Sequence, residues 1–87
     1  ISDTGTYNAS LDVGAASSAL TSSHDFIFIK NTGGGGGDDV LITLDDSNYL
    51  ILLSSGESFA SEINTSAVVK VKCATDEDST IEYYAGR

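Results

Sequence analysis

Short segments in which every second residue is apolar recur about every ten residues along this chain of 87 residues. That period belongs to a pleated strand, whose side chains alternate between two faces, and not to the 3.6-residue period of a helix packed on one side. Tyr7, Ala9, Leu11 and Val13 alternate with Asn8, Ser10 and Asp12. Val40, Ile42 and Leu44 alternate with Leu41, Thr43 and Asp45, and Phe59 and Ile63 share a face with Ser61 between them. Val69, Val71 and Cys73 point inward with Lys70 and Lys72 outward; Ile81 and Tyr83 point inward with Glu82 and Tyr84 outward. Residues 26–29 and 49–53 are apolar on both faces, which places those strands centrally in a sheet or beneath a partner.

Polar turn chemistry separates the strands: Asp45-Asp46-Ser47-Asn48, Ser54-Ser55-Gly56-Glu57, Asn64-Thr65-Ser66 and the acidic stretch 75–79. Residues 14–24 are small and polar and read as a long loop, with room for a short helical turn at 15–20. Five successive glycines, 33–37, do not hold one conformation cheaply and are expected to form a mobile hairpin tip.

This pattern predicts an all-β fold, a small antiparallel β-sandwich or jelly-roll-like barrel of about seven strands. One domain spans residues 1–87, with 1–6 a flexible N-terminal arm. The expected core is Tyr7, Leu11, Phe26, Phe28, Ile42, Leu44, Ile51, Leu53, Phe59, Val69, Val71, Ile81 and Tyr83. In the two double-faced runs the parity is open, so either these residues or their neighbours Ile27, Ile29, Leu50 and Leu52 point inward. No proline guards an edge strand, so edge-to-edge pairing between subunits costs little.

Thirteen acidic against four basic side chains give a formal net charge of −9. Lys30, Lys70, Lys72 and Arg87 are too few for the basic stripe that nucleic acid demands, and an anionic membrane surface is disfavoured for the same reason. No apolar run is longer than a strand, so none reads as a membrane span. The chain starts at Ile1 and contains no methionine, so it is expected to be a processed or trimmed product. Asn8-Ala9-Ser10 and Asn64-Thr65-Ser66 match a glycosylation triplet, which a chain rich in Ser, Thr and Asn meets by chance.

The residues with chemical potential do not assemble into a catalytic pattern. Cys73 alternates with valines on an inward face, the setting of a buried structural thiol rather than of an activated nucleophile. His24 sits in Thr21-Ser22-Ser23-His24-Asp25, but no strained nucleophile turn accompanies it, and a solvated loop histidine is the better reading. Asp38-Asp39, Asp45-Asp46 and Asp76-Glu77-Asp78 lack the spaced ladder and closing glutamate of a calcium loop, and read as solvated turns. The glycine run is followed by Asp38-Asp39 and a strand, not by the lysine, hydroxyl and helix of a phosphate loop. These readings point to a protein that is not an enzyme and holds neither cofactor nor metal. The aromatics are the remaining candidates: Tyr49 and Tyr84 as exposed rings, with Phe26 and Phe28 of the double-faced run, are the expected interface, with subunit contact favoured over a sugar ring.

The strings Phe26-Ile27-Phe28-Ile29-Lys30-Asn31-Thr32-Gly33, Val40-Leu41-Ile42-Thr43-Leu44-Asp45, Tyr49-Leu50-Ile51-Leu52-Leu53-Ser54-Ser55-Gly56-Glu57-Ser58-Phe59 and Ile81-Glu82-Tyr83-Tyr84-Ala85-Gly86-Arg87 carry a resemblance. The "I-K-N-T-G" strand end, the "L-x-x-G-E" turn and the closing "I-E-Y" strand are similar to the small β-sandwich structural proteins of tailed bacteriophages. The resemblance covers roughly residues 24–87 and is a pattern common to capsid decoration, head-fibre and tail components. It implies a virion structural protein on the capsid surface, above all a decoration (cement) protein. Its partners would be the major capsid protein or other virion proteins, and copies of itself, a trimer among the options. A tail or neck component is the second possibility within that class. A carbohydrate-binding or adhesin module, with Tyr49 or Tyr84 on sugar and calcium in an acidic turn, is the rival outside it.

Overall fold

The computed structural model describes residues 5–87; residues 1–4 of the expected N-terminal arm lie outside the described residues. Eight strands form: β1 Gly5–Val13, β2 Ser18–Ala19, β3 Phe26–Asn31, β4 Val40–Thr43, β5 Ile51–Leu53, β6 Ser58–Glu62, β7 Lys70–Lys72 and β8 Ser79–Gly86. No helix occurs among the described residues. Gly5 and Thr6, expected in the arm, open β1 and pair with Gly86 and Ala85. The stretch with room for a helical turn instead holds β2, which pairs with β7, and the Leu20 N–H donates to the Val69 carbonyl. Burial of the Leu20 side chain fixes this segment against the sandwich.

Each strand of the first half pairs antiparallel with its mirror in the second: β1 with β8, β2 with β7, β3 with β6, β4 with β5. Pairing of β8 with β3 and of β7 with β4 then completes two four-stranded sheets, β1-β8-β3-β6 and β2-β7-β4-β5. A long hairpin rolled up in this way is a jelly roll, one of the two predicted architectures, with eight strands in place of about seven. The inner faces of the two sheets close over Val13, Leu20, Ile27, Ile29, Val40, Ile42, Leu53, Val69, Val71, Cys73, Ile81, Tyr83 and Ala85. Leu11, Leu44, Ile51, Phe59 and Ile63 seal the margins.

Three expected core residues are not in that interior. Phe26 and Phe28 lie on the outer face of their sheet, with Ile27 and Ile29 fully buried in their place. The parity is set by Asn31, which must point inward and carries Ile29 and Ile27 with it. Tyr7 is 60% exposed, because a β-bulge between Asn8 and Leu11 shifts the register along β1. Beyond the bulge Leu11 and Val13 face inward as expected, whereas Tyr7 stands opposite Tyr84 on the outer face. In the second double-faced run Leu53 is buried, while Leu50 and Leu52 face outward.

Asn31 is completely buried and every polar group it carries is paired. Its Nδ2 donates to the carbonyls of Asp38 and Leu53, each at 2.9 Å. Its Oδ1 accepts from the Gly33 N–H at 3.0 Å and the Ser79 hydroxyl at 2.7 Å. Its backbone N–H donates to Glu57 O and its carbonyl accepts from the Gly56 N–H. One residue thus ties β3 to two chain crossings between the sheets and to the start of β8.

The glycine run is one of those crossings, not a hairpin tip, since β3 and β4 belong to different sheets. It is also anchored: the Gly36 N–H donates to Asp78 Oδ1 at 2.6 Å and the Asp38 N–H to Asp78 O at 3.0 Å. Gly33 has φ +78°, and a Cβ there would collide with the Ser55 hydroxyl of the other crossing. The positive φ itself calls for glycine at position 33, and the close approach of the Ser55 hydroxyl from the other crossing adds to that requirement.

The β4–β5 connection is held by Asp45. Its carboxylate accepts from the Thr43 hydroxyl at 2.9 Å, the Ser47 N–H at 2.9 Å, the Asn48 N–H at 2.8 Å and the Asn48 side-chain amide at 2.9 Å. The hydrogen bonds from Asn48, then those from Ser47 and Thr43, hold the Asp45 carboxyl well below the usual carboxylate range.

Asn31→Ala removes four hydrogen bonds, two buried and two part-buried, and strands their partners, so urea denaturation should show a loss of about 3–5 kcal/mol, against about 1–2 kcal/mol for Ser79→Ala. A loss below about 1 kcal/mol for Asn31→Ala would remove Asn31 from the centre of the fold. For Asp45 the folded-state pKa is depressed, so its stabilisation is complete above the unfolded value of about 3.9 and declines as pH falls below it. Thermal melts at a series of pH values should therefore find Asp45→Asn less stable than the wild type at neutral pH, with the gap narrowing progressively below about pH 4. A gap independent of pH contradicts the assignment.

Candidate functional site

The outer face of the β1-β8-β3-β6 sheet carries a row of aromatic side chains whose positions follow from strand register. Tyr7 of β1 is opposite Tyr84 of β8, Tyr84 is opposite Phe28 of β3, and Phe28 is opposite Ala60 of β6. Two residues along, Gly5, Gly86, Phe26 and Glu62 form the adjacent row on this face. The Phe26 and Tyr84 rings are tilted at 49° with centroids 6.4 Å apart. The Tyr84 ring lies over Gly5 and Gly86, and a Cβ at either glycine would collide with it. The two glycines thus serve as the floor under an aromatic side chain, which covers backbone that would otherwise face solvent. Glu82 receives the Tyr7 hydroxyl and stands beside Lys30 of β3, so a polar border flanks the rings. That hydrogen bond, with burial and the Glu82 charge adding to it, raises the Tyr7 pKa.

Phe26, Phe28 and Tyr84 of the predicted interface are therefore brought together. Tyr49 is not with them. It lies by the other sheet, where the Lys72 ammonium sits 4.4 Å from the centre of its ring and its hydroxyl is 2.8 Å from Ser17 Oγ. Tyr7, like Phe26 and Phe28, is expected in the core, but it is absent from the predicted interface. Its displacement comes from the bulge, for which nothing in residues 5–13 is a signal.

The other chemically capable residues have structural partners. Cys73 is buried, its thiol 3.5 Å from the Val13 carbonyl; burial, with Asp38, Glu77, Asp78 and Asp39 adding to it, pushes the thiol pKa up. A thiol so placed is held in its unreactive form. His24 accepts the Ser22 backbone N–H at Nδ1, 2.9 Å away, so a main-chain group and not a serine hydroxyl is its partner. Asp38 and Asp78 accept backbone N–H groups from each other's loop. Among the described residues no group of three or more His, Cys, Asp or Glu side chains converges on a metal-sized position. Asn64 Oδ1 accepts both the N–H and the hydroxyl of Ser66, a local turn.

A second apolar feature lies at the β5 edge of the other sheet. A hollow of about 270 Å³ is lined by Ile42, Leu44, Asp45, Asn48, Leu50 and Ile51. Leu50 on its rim is 87% exposed and Leu52 is 51% exposed. An apolar run of strand length signals burial, and here it identifies the strand without showing that half of it faces water.

No family model matches the chain, and no curated protein and no solved structure matches it either.

Proposed function

We propose that this protein is a non-catalytic structural component of a virus particle, a decoration protein that docks on the outside of the shell through the aromatic face of the β1-β8-β3-β6 sheet. The observation that carries this reading is the aromatic row Tyr7, Tyr84 and Phe28, with Phe26 beside it, on the outer surface of a small jelly roll. Aromatic residues ringed by polar groups are the usual composition of the energetic centre of a protein interface. The net charge of −9 supports a position outside the shell, away from packaged nucleic acid. The strand-end and turn patterns, which resemble those of small phage structural proteins, support the virion context. Fold alone supplies no function, since jelly rolls serve capsids, lectins and enzymes alike.

In this role the face supplies binding free energy and the sandwich supplies rigidity. Hydrogen bonds at the loop ends keep the sheet stiff, so little ordering cost falls on docking. Copy number in purified particles is the deciding measurement: on the order of hundreds of copies is expected for a decoration protein on a symmetric shell. About a dozen copies or fewer would place the chain in the tail or neck, and absence from particles would end the viral reading. Tyr7→Ser paired with Phe28→Ser should weaken shell binding at least roughly tenfold while circular dichroism stays that of a β-sandwich. Saturable binding on a glycan array, lost in the same pair of variants, would instead make the face a carbohydrate platform.

A further inference from the structure

We propose that the partner of the aromatic face is a protein segment bearing arginine, whose guanidinium lies on the Phe26 ring and pairs with the Glu62 carboxylate. The proposal rests on the reading of that face as a docking surface and names the chemistry it takes. Register places Glu62 of β6 directly opposite Phe26 of β3. Side chains opposite one another in an antiparallel pair stand roughly 5 Å apart at Cβ, so the carboxylate and the ring border the same volume. On its other side Phe26 meets Tyr84, the two rings tilted at 49° with centroids 6.4 Å apart. Phe26 and Tyr84 are half-buried and Glu62 is exposed, so all three are open to a partner.

The charge on this face is unbalanced. Asp12, Glu62 and Glu82 project from its strands, against one ammonium, that of Lys30. Asp12 accepts the Thr80 hydroxyl at 3.3 Å and Glu82 accepts the Tyr7 hydroxyl. The Glu62 carboxylate has no hydrogen bond or ion pair among the described residues, where the single ion pair joins Lys70 to Asp46 by the other sheet. Lys30 does not neutralise it: it lies four residues from Phe26 along β3, about 13 Å at the rise of an extended strand.

That imbalance selects the partner. Any surface that covers Phe26 also covers Glu62 beside it. A wholly apolar surface strips water from an unpaired carboxylate, which opposes the ring contact it gains. A second copy of this face brings the same excess of carboxylates, and a phosphate or carboxylate ligand meets the same repulsion in a chain of net charge −9. A cation answers both features at once, since it is attracted to the ring face and to the carboxylate. Between the two cationic side chains the arrangement favours arginine. Its guanidinium is flat and weakly hydrated, stacks on an aromatic ring, and offers two N–H groups in the fork that a carboxylate accepts. A lysine ammonium is compact and strongly hydrated and loses more water for the same contact.

Titration of the whole chain with an acetylated, amidated tri-arginine peptide, followed by NMR, tests the proposal. Saturable shifts are expected at Phe26, Glu62 and Tyr84, weakening as salt is added. The matching tri-lysine peptide should bind at least roughly threefold more weakly at equal charge. Glu62→Gln should weaken tri-arginine binding at least roughly threefold, and Phe26→Ser should do the same. Glu62 is exposed, so its variant keeps the fold even where Phe26→Ser does not. Glu77→Gln removes the same charge from an acidic turn and should leave the affinity unchanged. Shifts confined to the acidic turns, affinity indifferent to Glu62→Gln, an equal loss in Glu77→Gln, or tri-lysine binding as tightly as tri-arginine each overturns the proposal. The copy number in particles is a separate outcome: a chain abundant in particles but without this arginine site loses the present proposal alone, and a chain with the site but absent from particles loses the viral reading alone.

Discussion

Asn31 joins the parts of this molecule that no strand ladder can join. A jelly roll must carry its chain from one sheet to the other several times, and each crossing leaves backbone groups without a ladder partner. Here two crossings, the glycine run and the Ser54–Glu57 turn, converge on one buried asparagine. Its amide donates to Asp38 and Leu53 and accepts from Gly33 and Ser79, and its backbone is paired with Gly56 and Glu57. The side chain substitutes for the missing ladder partners at depth between the two sheets. A buried amide so fully committed is specific as well as stabilising: an apolar residue of the same shape leaves several buried groups unpaired, and a slipped register does the same.

That constraint explains which parts of the fold were legible in the sequence. Alternation in residues 40–44, 69–73 and 81–83 points to the correct inward face, because each has charged or polar residues on the other side or at its end: Asp45, Lys70 with Lys72, and Glu82. Residues 26–29 offer no such contrast, since phenylalanine and isoleucine are equally apolar. The information lies two residues downstream, in an asparagine that reads as a turn residue until its burial is known. Counting back from an inward Asn31 gives Ile29 and Ile27 directly. The β1 bulge is different in kind. The shift within Asn8–Leu11 falls in a stretch of small and polar side chains that fit either register, and only pairing with β8 determines which side Tyr7 takes.

The acidic residues show how a charged sequence is used without a charged site. Asp45, Asp38 and Asp78 each accept backbone N–H groups that turns and crossings would otherwise leave unpaired. Read one by one they are turn formers; read as clusters they suggest cation binding. The difference lies in what the oxygens already accept, which spacing alone does not reveal. With only four cations in the chain, such capping gives part of this charge a structural role at the loop ends of the sandwich, while Asp12, Glu62 and Glu82 lie on strands.

A jelly roll of this size has two inner faces and can bury only the side chains directed between them. The apolar residues left over are not scattered. Tyr7, Phe26, Phe28 and Tyr84 gather on the outside of one sheet, while Leu50 and Leu52 gather at the edge of the other. The two patches differ in construction: the first is a broad aromatic row floored by glycines and bordered by Glu82 and Lys30, the second a single projection beside a hollow of matching chemistry. The row is continuous across four strands, whereas the second patch is narrow and bounded by Asp45 and Asn48, which are already hydrogen-bonded within their own turn. Because the patches lie on different sheets, occupying one does not cover the other.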